Sequence, residues 1–414
     1  MHKDFFISNR NRLYEELHDQ SLLILFAGKA PQKSADENYK FVPNRNFYYI
    51  TGIDEPNTIF IAQKKGNKVE EFLFIVKSDP VLEKWVGKSI SISEANEASG
   101  IDNISYLDQF ESTVSKIVVS ESFFHVYLDL ERRELDSTTT KAQEFANKIQ
   151  MNYPYVQINN VYPVICELRV YKTPEEIEKI KRAIEITQNG IRNVMKHAKP
   201  GMKEYQLEAY FDFILNSEGV KEHAFPTIVA SGKNGTILHY EKNNDIAEDE
   251  SLVLLDLGAQ FEYYNADISY TFPVNGKFTD KQKVYYNIVL KALKDTTALI
   301  KPGVPFVKLN EMTKKVLAEE CVKVGLIKEE NEISEYYYHG VSHFLGLDTH
   351  DVGSYKDLVL QPGMVLTVEP GLYIAEEEIG IRIEDDVLVT EEGHEVLTKD
   401  IIRSVEDIEV YMQK

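Results

Sequence analysis

His339, His343 and His350 place three of the chain's ten histidines in one short stretch, His339-Gly-Val-Ser-His343 followed by Phe344-Leu-Gly-Leu-Asp-Thr-His350-Asp351. Glycines at 340 and 346 argue against a regular helix there and permit close backbone approach to a bound group. His339 and His343 have the spacing of zinc-peptidase helices, but no glutamate follows His339, so that motif is absent. Taken alone, the cluster fits hydrogen-bonded loop histidines as well as it fits metal ligands. Carboxylates elsewhere decide between the two. Asp256 interrupts the apolar run 252–258, Asp267 lies within 266–272, Glu369 closes the run that begins at Met364, and Glu384 follows Ile379-Gly-Ile-Arg-Ile. An acid inside a buried strand needs a partner. Four such acids and an imidazole combine hard oxygens with one borderline nitrogen, a donor set for divalent cations, and their four negative charges balance two such ions.

These acids need strands, and the strands need a frame. A chain of 414 residues suggests two or more domains at roughly 150 residues each. Residues 1–168 alternate short β-rich runs, at 22–26, 58–62, 72–76 and 124–128, with polar helix-compatible segments, which predicts an α/β domain. Residues 169–414 form the second domain, beginning where Thr173-Pro174-Glu175-Glu176 supplies an N-cap, a first-turn proline and a capping-box glutamate. A long amphipathic helix follows, with Ile177, Ile180, Ile184, Ile191 and Val194 on one stripe, and Lys199-Pro-Gly201 ends it. A second helix covers about 204–216. The order recurs: a helix over about 281–300, Lys301-Pro-Gly303, and a helix over about 307–324. We read two related αβ halves whose strands meet in one curved sheet, with acids from both halves facing each other.

Composition sets outer limits. Lys and Arg number 46 against 67 Asp and Glu, a net charge of −21, so the surface repels polyanions and nucleic acid is not an expected partner. Cys166 and Cys321 are too few for a disulfide framework. The first ten residues lack the sustained apolar core of a signal peptide, and no apolar run is long enough to span a bilayer, so the expected location is cytoplasmic, away from membranes.

Asp256, Asp267, His343, Glu369 and Glu384 match, in order and in flanking residues, the five metal ligands of the pita-bread metallopeptidases, the superfamily of methionine aminopeptidase, prolidase and aminopeptidase P. The 339–351 segment, Trp85 in Glu-Lys-Trp-Val-Gly and Phe47-Tyr-Tyr-Ile-Thr-Gly-Ile-Asp-Glu-Pro56 resemble the aminopeptidase P branch most closely. The resemblance implies an α/β N-terminal domain and an α+β pita-bread catalytic domain with an internal pseudo-repeat. It also implies two divalent ions, with Asp267 and Glu384 bridging them, Asp256 on one, and His343 with Glu369 on the other. Manganese is the expected metal because oxygen-rich sites suit it, and zinc, cobalt or iron(II) could occupy the same ligands.

The implied reaction is release of the first residue from short peptides that begin Xaa-Pro. The Xaa-Pro bond has no N–H for a peptidase to grip, and a water activated between metals has no need of one. Glu369 is the expected proton shuttle, and His350 and His239 the expected donors to the developing oxyanion. His339, which could equally be packing, and Tyr373 are expected against the substrate. Arg382 either pairs with a ligand carboxylate, holds a substrate carboxyl, or forms an ordinary salt bridge. The resemblance implies that the Trp85 loop overhangs the site and limits substrate length, although a lone tryptophan is more often a core residue. A homo-oligomer, dimer or tetramer, is expected. Prolidase, which cleaves only dipeptides, is the rival enzyme, and a binding or chaperone module on the same fold is the rival of another class. One departure stands out: where many relatives carry arginine after Asp-Ile-Thr, this chain has Tyr270.

Overall fold

Thr173 Oγ1 accepts from the Glu176 N–H, and Glu176 accepts from the Thr173 N–H at 2.8 Å, so the 24-residue helix Pro174–His197 starts from a reciprocal cap. A cap of this kind contributes about 1 kcal/mol. Of the apolar stripe read from the sequence, Ile180, Ile184, Ile191 and Val194 are buried and Ile177 is partly so. In the computed structural model, which describes residues 1–121 and 123–413, this helix lies near the start of the larger of two units, Met1–Leu168 and Arg169–Lys414.

The smaller unit is built on a six-stranded mixed sheet, in spatial order Asn103–Tyr106, Lys68–Ile75, Ile59–Lys65, Ser21–Phe26, His125–Leu128 and Gln157–Asn160. The two pairings through Ile59–Lys65 are antiparallel and the other three parallel. Helices Phe110–Glu121 and Lys141–Asn152 cover its apolar core. Buried Arg10, on helix Lys3–Glu15, ties that helix in by donating to Glu71 Oε1 at 2.9 Å, Ile50 O at 3.0 Å and Ser99 O at 2.9 Å. Trp85 is not core: it stands on the one-turn helix Glu83–Val86, 84% exposed.

In the larger unit the internal repeat is legible bond by bond. Each half opens with two antiparallel helices, Pro174–His197 with Glu204–Ser217 and Asp280–Thr297 with Val307–Lys323. Gly201 and Gly303 both take φ +85°, a conformation that the two Lys-Pro-Gly stops reserve for glycine. Gly201 N donates to Ala247 O at 2.8 Å and Gly303 N to Leu360 O at 2.9 Å. Glu204 N and Phe306 N then make the matching bonds to Asp245 O and Leu358 O. Two sequences that share little beyond Lys-Pro-Gly thus close the same loop.

The strands do not form one unbroken ladder. Leu252–Leu257 pairs with Ile228–Ser231 and Ile268–Pro273; Asp385–Val389 pairs with Val365–Val368 and His394–Val396; Gly371–Ile374 forms a hairpin with Ile379–Arg382. The expected single curved sheet is completed across its gaps by other bonds. Thr271 Oγ1 donates to Arg382 O at 3.0 Å and accepts from Arg382 N at 3.2 Å, and Glu384 N donates to Ser269 O at 3.0 Å. Among the described residues, no helix is long and apolar enough to cross a membrane.

Candidate metal centre

The ladder breaks where the acids stand. Asp256 is the only one of the four inside a strand; Asp267 directly precedes Ile268–Pro273, Glu369 directly follows Val365–Val368, and Glu384 lies between Ile379–Arg382 and Asp385–Val389. The expectation of strand-borne acids is corrected on this point. Leaving the ladder frees these side chains from strict alternation, and Pro370 withholds an N–H where the ladder stops at Glu369.

His343 is delivered by an extended segment lying along Val365–Val368. Leu345 N donates to Val365 O at 3.1 Å, Thr367 N to His343 O at 3.0 Å, and Glu369 N to Val341 O at 2.9 Å. His343 Nδ1 donates to Phe344 O at 3.0 Å, which in the neutral ring leaves the Nε2 lone pair facing inward. Nε2 stands 3.4 Å from Asp267 Oδ2 and 3.6 Å from Glu369 Oε1. Ligand atoms of Asp267, His343 and Glu384 lie within 4.8 Å of one another.

A second group fixes the acids from behind. Ser269, in register with Asp256, donates through N and through Oγ to Glu384 Oε2, both at 2.8 Å. Buried Arg382 donates through Nε to Ser269 Oγ at 2.6 Å, through Nη2 to Asp256 Oδ2 at 2.7 Å and through Nη1 to the Tyr373 hydroxyl at 3.0 Å. Tyr373 OH lies 2.8 Å from His339 Nε2, and His339 Nδ1 lies 2.8 Å from Gly340 O, which assigns His339 as a neutral ring accepting from the phenol. Burial drives the His339 pKa down to about 4, in keeping with that assignment. Tyr373, expected to face the substrate, is only 2% exposed and instead orients Arg382 and His339.

The electrostatics call for cations. Burial, then the neighbouring Glu384 and Asp256, push the Asp267 carboxyl well above its usual range; burial and Glu384 do the same to Glu369. Burial and Asp256 raise Glu384 to about 7. A further acid is packed among them: Asp386, fully buried, accepts from Asp267 N at 3.4 Å and is raised by burial and by Glu384. Glu384 Oε1 and Asp386 Oδ1 are buried without a hydrogen-bond partner. Buried oxygens without donors beside an imidazole lone pair are the donor set of a divalent metal site, and the residues fit one.

His350 and His239 lie at the open side. His350 is exposed, its ring 4.3 Å from that of His343 and edge-on to it. His239 is exposed on the turn after Gly232–Thr236, close enough for its charge to act on His339. Trp85 belongs to the smaller unit.

Several site residues were not read from the sequence. Asp386 and Ser269 each stand two positions along the chain from Glu384 and Asp267, and that spacing was the available signal. Asp351 had no such signal. It is buried, paired with Lys172 Nζ at 2.9 Å and Arg169 Nη2 at 2.5 Å, and it closes the 344–351 loop through Asp351 N to Phe344 O at 2.9 Å. At the departure noted in the sequence, Tyr270 is buried and donates to Ile402 O at 2.9 Å, while the Arg403 guanidinium sits 5.8 Å over its ring and donates to Glu384 O. A cation therefore remains near the strand although arginine is absent from position 270.

Comparison with known proteins agrees with this geometry. Residues 178–391 match Metallopeptidase family M24, and residues 6–127 match the aminopeptidase P N-terminal domain. Xaa-Pro aminopeptidase of Escherichia coli (strain K12) is 35% identical, over 98% of this chain and 97% of its own length. A Bacillus anthracis structure assigned to aminopeptidase P is 65% identical and superposes with a TM-score of 0.99, over 100% of this chain and 99% of that one. Zinc-substituted E. coli aminopeptidase P in complex with product is 33% identical, with a TM-score of 0.92 over 100% and 98% of the two chains. Fold, ligand geometry and both matched segments lead to one assignment: this chain belongs to metallopeptidase family M24, in the form that carries an aminopeptidase P N-terminal domain.

Proposed function

We infer that the protein is an Xaa-Pro aminopeptidase, releasing the first residue from peptides with proline in second position. The observation that carries this is the convergence of Asp267, His343 and Glu384 ligand atoms within 4.8 Å, with Glu369 Oε1 3.6 Å from His343 Nε2. The ligand set is Asp256, Asp267, His343, Glu369 and Glu384, holding two divalent cations, with manganese the proposed metal on the strength of four carboxylates to one imidazole. When bound, such cations lower the pKa of a water and polarise a peptide carbonyl.

The chain's own residues supply the rest. Arg382 holds Asp256 and, through Ser269, Glu384, so the oxygens facing the metals stay in place as charge shifts. Glu369, raised by burial and by Glu384, is the proton carrier to the leaving proline nitrogen. His350 and His239, both exposed on this side, are the donors to the carbonyl oxygen as it becomes anionic, and His339 lines the pocket from the Tyr373 side. Trp85 is the proposed limit on peptide length. The exposed Val81, Trp85 and Val86 support a homo-oligomer, a dimer or tetramer. The two cysteines are buried thiols, which fits a cytoplasmic location.

The test is turnover of Xaa-Pro peptides of two to five residues by purified protein, with metal analysis and with and without added Mn2+. Cleavage of Xaa-Pro-Yaa with release of the first residue is expected; exclusive cleavage of dipeptides would make it a prolidase, and a metal-free protein that Mn2+ cannot activate would make it a binding module.

A further inference from the structure

Glu204, the first residue of helix Glu204–Ser217, is completely buried, and no cation is paired with it among the described residues. Its charge is held by five donors. Oε1 accepts from Ser231 N at 2.7 Å, Ser231 Oγ at 2.8 Å and Asn234 Nδ2 at 3.0 Å; Oε2 accepts from Tyr240 OH at 2.8 Å and Asp245 N at 2.9 Å. These donors are spread along the segment 231–245, at both of its ends and at 234 and 240, and His239 lies among them. A carboxylate that fastens both ends of one irregular loop fixes that loop's course, because the loop has no ladder of its own.

What the loop's course decides is visible in its packing. Tyr240 joins Ile228, Ala230, Leu254 and Tyr373 in one apolar cluster, with Leu238 packed against it. The residues on either side of His239 therefore belong to or pack on the cluster that contains Tyr373, whose hydroxyl meets His339 and Arg382. His239 itself is left exposed on the turn, near His339. At the loop's start, the Gly235 backbone touches that of Gly380 so closely that a side chain at 380 would meet it, and Tyr338 OH donates to Thr236 O at 3.1 Å.

We propose that Glu204 is the positioning residue for His239: its buried carboxylate, gripping Ser231, Asn234, Tyr240 and Asp245, sets where the His239 imidazole stands over the substrate pocket. Glu204 touches no reacting atom. This rests on the reading of His239 as a substrate-facing donor.

The test is a double-mutant cycle on the full-length, Mn2+-loaded protein with an Xaa-Pro-Yaa peptide, comparing wild type, Glu204→Gln, His239→Ala and the double variant. Gln cannot accept at both ends of the carboxamide, so kcat/KM should fall by about tenfold or more in the wild-type background, and by less than about twofold once His239 is absent. Mn2+ affinity by titration calorimetry should stay within about threefold of wild type, which a general loosening of the fold would not allow. Should Glu204→Gln fail to fold, Tyr240→Phe keeps the ring packing, removes one of the five donors, and is expected to couple to His239→Ala in the same way. Losses that multiply in the double variant, or a Glu204→Gln enzyme as active as wild type, would overturn the inference. A His239→Ala enzyme with unchanged turnover would overturn it too, by removing the role of His239, and wild-type protein inactive on every Xaa-Pro peptide would instead defeat the functional reading.

Discussion

His343 Nε2 stands 3.4 Å from Asp267 Oδ2 while its Nδ1 is committed to Phe344 O. Asp267 shares this buried place with the Glu384 and Asp256 carboxylates, and such acids repel one another unless a cation lies among them. Asp267→Asn is therefore expected to lower activity by more than about a hundredfold through loss of a metal ligand, while leaving the metal-free fold at least as stable as wild type. Thermal unfolding in EDTA alongside kinetics with Mn2+ checks both; a lower unfolding temperature in EDTA would contradict the account of mutual repulsion.

The same crowding gives a pH signature with a definite sign. Burial and Asp256 raise Glu384 to about 7, and Asp267 and Glu369 are raised with it, so the metal-free native state keeps protons that the unfolded chain loses at its ordinary carboxyl pKa. Stability from these groups is present at low pH and is lost as pH rises through about 7. Metal should abolish the loss. The difference in unfolding temperature between Mn2+ and EDTA samples should widen from pH 5.5 to pH 8, and Mn2+ binding at pH 6 should release protons, visible as a buffer-dependent enthalpy.

Arg382 makes its three contacts through the planar fork of a guanidinium, which an ammonium cannot copy. Arg382→Lys should lower kcat/KM by about ten- to a hundredfold and weaken Mn2+ binding, since it loosens Asp256 and Glu384 together. Equal metal affinity in the two proteins would separate Arg382 from ligand support.

His350→Ala should lower kcat by roughly a hundredfold or more and change KM little, the pattern of a donor used in the transition state. Unchanged kcat would take His350 out of the reaction.

Asp351 shares one buried carboxylate between Lys172 and Arg169. Asp351→Ala takes the shared carboxylate from buried Lys172 and leaves Arg169 with Asp348, and a loss of about 3–5 kcal/mol is expected. Denaturant unfolding measures it. Because the Asp351 carboxylate also accepts from Asp348 N at 3.4 Å within the 344–351 loop, Mn2+ affinity should drop as well.

Much of this was legible in order along the chain. Residue type marked Asp256, Asp267, Glu369 and Glu384, because an acid in an apolar run has few physical excuses, and the family resemblance singled His343 out of the histidine cluster. Periodicity and capping marked Thr173 to His197, and the second Lys-Pro-Gly marked the repeat, whose equivalence the matching bonds of Gly201 and Gly303 bear out. These are local signals, carried by neighbours within a few positions.

Other features depend on residues far apart in sequence. Asp351 meets Arg169 and Lys172 from the far end of the catalytic unit, Ser269 acquires its role only beside Glu384 and Arg382, and Glu204 gathers donors from a loop beyond the next strand. None of these residues is unusual in its own neighbourhood. The sequence by itself determined which groups can ligate and which segments are helix, because those follow from side-chain chemistry and local backbone geometry. Tertiary structure alone decided that three of the four acids step out of the strands, that Tyr373 turns inward to Arg382, and which buried charges are paired, because pairing is settled by where the chain returns in space.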